Sequence, residues 1–102
     1  MEAPGAIRVS GESQQAKLVK QVPPVYPEAA RQAGTSGIVR LGVVITKEGR
    51  VRDIRVMTGP GRDLDAAAMQ AVSQWVYQPT LLNGEPVEVV TTVDVNFASR
   101  GQ

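Results

Sequence analysis

A chain of 102 residues has room for one compact domain, and its 42% hydrophobic and 21% charged composition supports a packed core and argues against disorder. Eleven basic against ten acidic residues leave a formal net charge of +1 with no block of like charges, which gives no footing for nucleic acid or an anionic membrane surface. Cysteine and histidine are both absent, which removes disulfides, the usual general base and the commonest metal ligand.

In chain order, residues 1–22 read as a flexible or extended leader, rich in Gly, Ser and Gln, with a short strand suggested by the alternation of Ile7, Arg8 and Val9. Pro23 and Pro24 block a continuing helix. Pro27 suits a helix start, Glu28 to Ala33 are good helix formers, and Gly34 suits a left-handed stop. The period then changes to two: Val39, Leu41, Val43 and Ile45 share one face of a strand, with Ile38, Arg40, Gly42 and Val44 on the other. Lys47-Glu48-Gly49 turns the chain, and Val51, Ile54 and Val56 form the return strand, with a slip of phase that predicts a bulge.

After the Gly59-Pro60-Gly61 loop, Asp63 is the expected N-cap of a helix whose apolar stripe is Leu64, Ala68, Ala71, Val72 and Trp75, ending near Val76. Asn83-Gly84 is a turn signal. The last strand alternates cleanly, Val87, Val89, Thr91, Val93, Val95 and Phe97 against Glu88, Val90, Thr92, Asp94 and Asn96, and the tail 99–102 frays. These elements predict an α+β fold: a three-stranded antiparallel sheet with two helices packed on one face, in the order α-β-β-α-β, behind an extended N-terminal segment.

Catalytic chemistry is not visible. The Gly59-Pro60-Gly61 loop lacks the Lys and Ser/Thr of a phosphate loop, and Asp63 would repel an anion there. Asp63 and Asp65 alone are a poor metal set, and the serines have no histidine to activate them. No catalytic residue, metal or cofactor is expected. Trp75 is expected in the core, and Tyr77 at the turn toward Pro79.

Residues 23–98 resemble the C-terminal domain of the TonB family. The resemblance rests on Tyr26-Pro27 before a short Ala/Arg helix, Gly37 opening a Val-rich strand, and Gly49-Arg50-Val51 at the hairpin. It continues in Leu64-Asp65-Ala66-Ala67, Trp75-x-Tyr77-x-Pro79 and Gly84-x-Pro86-Val87. It implies a periplasmic domain of an inner-membrane-anchored energy transducer, partnered by a proton-channel motor complex, that binds the TonB box of outer-membrane receptors by strand addition. The implied pairing strand runs from Val87 to Phe97 (Val87, Val89, Val90, Thr91, Thr92, Val93, Asp94, Val95, Asn96, Phe97), with Gln21, Pro23 and Tyr26 as upstream contacts. Pro23 stands where some members carry glutamine, with Gln21 nearby. The alternatives are a sensor module of a non-transport membrane protein and a strand-exchanged homodimer.

Overall fold

The computed structural model describes residues 6–97; the expected tail 99–102 lies outside them. In chain order the elements are β1 (Ile7–Arg8), α1 (Gly11–Gln15), β2 (Leu18–Lys20), α2 (Glu28–Ala33), β3 (Gly37–Ile45) and β4 (Val51–Thr58). They continue with α3 (Arg62–Val72), β5 (Val76–Tyr77), β6 (Thr80–Leu82), β7 (Glu85–Val87) and β8 (Val89–Phe97). The fold is α+β. The three antiparallel strands expected from the sequence are β8, β3 and β4, and a fourth, β1, extends the sheet to the order β1-β8-β3-β4.

Alternation along β3 and β8 builds the core. Val39, Leu41, Val43 and Ile45 from β3 are buried with Val89, Val93, Val95 and Phe97 from β8, and Leu64, Ala68 and Val72 of α3 cover them. Each large apolar side chain taken fully from water contributes about 1.5–3 kcal/mol, so this single layer of contacts carries most of the stability of so small a domain.

The return strand is bulged where the phase slips. Gly42 pairs with Arg55 and Val44 with Arg52, so three steps on β4 oppose two on β3, and Asp53 takes a left-handed φ of 52° within that extra length. A second register shift follows between Arg40 and Leu41.

Helix α2 matches its sequence signals, with Pro27 as the extended N-cap and Gly34 at φ 72° as the left-handed C-cap. Helix α3 differs at both ends. Its N-cap is Gly61, in extended conformation, while Asp63 lies inside the first turn, where it and Asp65 still meet the positive end of the helix dipole. The helix stops at Val72. Trp75 lies past the C-cap Ser73, yet it is buried, because its backbone N–H still bonds the Val72 carbonyl and swings the ring inward.

The last strand is shorter than the sequence suggests. Glu85–Val87 pairs with Thr80–Leu82 as a separate hairpin around Asn83 (φ 54°) and Gly84 (φ 83°), both left-handed as a tight two-residue turn requires. Val87, paired with Thr80, is therefore not on the long strand. Residues expected as an extended leader carry β1, the one-turn helix α1, and β2, which pairs with β5.

Candidate functional site

A strand's two edges differ residue by residue, because N–H and C=O of one residue point to the same side and alternate along the chain. The side of β8 away from β3 is identified by its only pairing strand among the described residues. Ile7 N–H donates to the Glu88 carbonyl at 3.0 Å and Val9 N–H to the Val90 carbonyl at 3.1 Å. The even-numbered residues Val90, Thr92, Asp94 and Asn96 thus turn their backbone groups to the outer edge. Val89, Thr91, Val93, Val95 and Phe97 turn theirs to β3 and bury their side chains.

Strand β1 runs parallel to β8, with Ile7 beside Val89 and Arg8 beside Val90, and goes no further. Gly11, opening α1, then lies so close that a Cβ there would stand 2.7 Å from the Thr92 carbonyl oxygen. Past that point, among the described residues, no strand pairs with β8 on this side. A groove of about 350 Å³ opens instead, with Thr92, Val93 and Asp94 along the strand, Gly11 and Gln15 on the leader side, and Gln21 and Trp75 opposite.

The groove's charged wall is fixed by a pair across the ladder. Arg40 Nε and an Nη atom donate to the two Asp94 carboxylate oxygens at 2.9 and 3.1 Å. That hydrogen bond, with a smaller Coulombic contribution from the same guanidinium, holds the Asp94 carboxyl below its ordinary range. At the covered end, Arg52 reaches both Glu88 oxygens at 2.9 and 2.8 Å.

Of the three upstream residues expected as contacts, Gln21 lines the groove. Pro23 is exposed and not among its lining residues. Tyr26 is engaged elsewhere: its hydroxyl donates to the Thr35 carbonyl and its ring meets Phe97 edge-on at 5.6 Å. Trp75, expected only as core, also contributes to the groove, and its indole N–H donates to the Val22 carbonyl at 2.8 Å. That bond positions Gln21, and nothing in the local sequence announces it. Tyr77 is buried, which pushes its hydroxyl up to about 12.

The other sheet edge is less suited to accept a strand. Two register shifts and the left-handed Asp53 interrupt β4, whereas β8 keeps register with β3 from Gly37↔Phe97 to Ile45↔Val89. Bulges and charges are how exposed edges avoid pairing, so the edge with unbroken register is that of β8.

Comparison with known proteins bears on the same span. The Gram-negative bacterial TonB protein C-terminal family matches residues 22–98. The chain belongs to that family. It is 40% identical over 77 residues to protein TonB of Xanthomonas campestris pv. campestris, covering 74% of this chain and 34% of that one. To protein TonB of Pseudomonas aeruginosa it is 36% identical over 72 residues, 70% of this chain and 21% of the relative. The chain thus spans about a third or less of the TonB proteins it matches. Among solved structures it is similar to the Pseudomonas aeruginosa TonB C-terminal domain in solution, with a TM-score of 0.71 and 32% identity, covering 84% of this chain and 88% of that one. A TonB2 structure from Vibrio anguillarum aligns at a TM-score of 0.59 and 37% identity, over 84% and 83% of the two chains.

Proposed function

We propose that this domain is the periplasmic part of a TonB-like energy transducer and grips the TonB box of outer-membrane receptors by adding it as a strand beside β8. The observation that carries the reading is the bulge-free outer edge of β8 beyond Gly11's approach to Thr92, where, among the described residues, no strand pairs with Asp94 or Asn96 on that side. A peptide docking there satisfies main-chain donors and acceptors that otherwise face water, and its side chains select register. Family membership supports the same use, with work delivered from an inner-membrane motor complex through the rest of the transducer. The domain acts by binding and carries no catalytic role in this reading. A sensor or homodimer role draws on no feature that favours β4 or another surface over β8.

The even-numbered edge positions give a direct test. Thr92→Ala and Asn96→Ala should weaken a synthetic TonB-box peptide only by about the 0.2–1 kcal/mol of a cross-strand pair. Thr92→Pro, Asp94→Pro and Asn96→Pro each delete an edge donor and should weaken it tenfold or more, with folding checked by circular dichroism. Peptide-induced amide shifts gathered around Gly59 to Arg62, or folded proline variants that all bind normally, would show that docking occurs elsewhere.

A further inference from the structure

The leader's position raises a problem for the docking edge. An added strand would run along β8, but the first part of that edge, at Glu88 to Val90, is already taken by the chain's own residues.

We propose that Ile7–Gly11 are an intramolecular stand-in for the partner strand, so that an incoming peptide gains the full edge only by displacing them. The inference rests on the reading of β8 as the docking edge. The leader holds on through main-chain bonds from Ile7 and Val9, the same kind of contact an external strand makes. It occupies the Glu88 and Val90 carbonyls through main-chain bonds and approaches Thr92 through Gly11, leaving Asp94 and Asn96.

The hold is also built to be released. β1 is two residues long and α1 five, lengths that do not persist without tertiary support. The anchor of α1 is Gln14, 1% exposed, whose Nε2 donates to Thr80 Oγ1 at 3.0 Å. Its Oε1 is buried with no protein partner, a polar burial that penalises the docked state. The displaced segment also lies ahead of residues 22–98, the span matched by the family.

Competition of this kind lowers apparent affinity by the fraction of molecules whose edge is open. Two variants open it without changing any residue of β8. Val9→Pro removes the donor to Val90, and Gly11→Val drives a side chain into the Thr92 carbonyl. The probe is a capped synthetic peptide copying residues 6–11, Ala-Ile-Arg-Val-Ser-Gly, which carries the Ile7–Val9 segment that bonds this edge.

The full chain and both variants are titrated by NMR, with exchange protection of the Ile7 amide reporting leader release. Both variants should lose that protection and bind the peptide about tenfold more tightly, a shift of ~1.4 kcal/mol, with new amide shifts from Glu88 to Thr92. Equal or weaker affinity after leader release, with shifts confined to Asp94–Asn96, would overturn the stand-in while leaving the docking edge intact. Shifts away from β8, or no binding by any of the three proteins, would overturn the docking edge and the inference together.

Discussion

The indole N–H of Trp75 donates to the carbonyl of Val22 at 2.8 Å, tying the segment that precedes α2 to the turn that follows α3. The ring is 5% exposed and belongs to the same cluster as Leu64 and Val72, so one side chain fills the core and fixes the wall of the groove.

Trp75→Ala should therefore cost about 3–5 kcal/mol, a large share of the ~5–15 kcal/mol available to a domain, as read by urea denaturation. Trp75→Phe keeps most of the packing but strips Val22 of its partner. It should cost less and shift the Gln21 and Val22 amides in the NMR spectrum.

Two glycines in the same left-handed region should answer differently to alanine. At Gly34 (φ 72°) no atom lies within 4 Å of the added Cβ, and the cost should be the ~1–2 kcal/mol of conformation alone. At Gly49 (φ 88°) the Cβ would lie 1.9 Å from the Tyr77 carbonyl oxygen. Gly49→Ala should lower the melting temperature clearly more than Gly34→Ala; equal losses would mean that the Gly49–Tyr77 approach is relaxed in solution.

Acid should weaken the Arg40–Asp94 link. The folded carboxyl lies below its ordinary range, chiefly through the Arg40 hydrogen bond, so its contribution is present above the unfolded value and is lost as pH falls through the folded one. Both side chains are about half exposed, so the effect should be small and salt-sensitive. Denaturation midpoints of the parent and Asp94→Asn should differ at neutral pH and converge in strong acid.

Alkali acts through Tyr77 with the opposite sign. Its folded value, raised by burial from 10.0 to about 12, gives a contribution fully present below pH 10 and lost as pH rises through about 12. Stability should fall across that window in the parent and less in Tyr77→Phe, as followed by denaturation midpoints at fixed ionic strength.

The sheet was legible because alternation along β3 and β8 states which side chains are buried, and the slip after Val51 locates the Asp53 bulge. Alternation does not say which edge a residue's N–H faces. That needed one observed bond, Val9 to Val90. The helix end is not legible because Trp75 continues the apolar spacing of α3 while sitting in the turn beyond it. The docking of β1 on β8 left no local trace, since parallel partners so far apart in sequence share only an apolar alternation that fits many strands. Of the upstream contacts, Gln21 reaches the groove because the Trp75–Val22 bond carries the chain past it, and Tyr26 does not because Thr35 and Phe97 hold it.

The unbroken ladder between β3 and β8 has a mechanical meaning. Its nine pairs run the whole length of the strand that offers the edge, over buried side chains, whereas β3 and β4 slip register twice. Hydrogen bonds between strands lie across the strand direction. A tug along a peptide lying beside β8 therefore strains every bond in shear at once, while a tug away from the sheet unzips them singly. For a peptide docked there as proposed, the grip would be directional: firm against traction along the strand and yielding to a sideways peel.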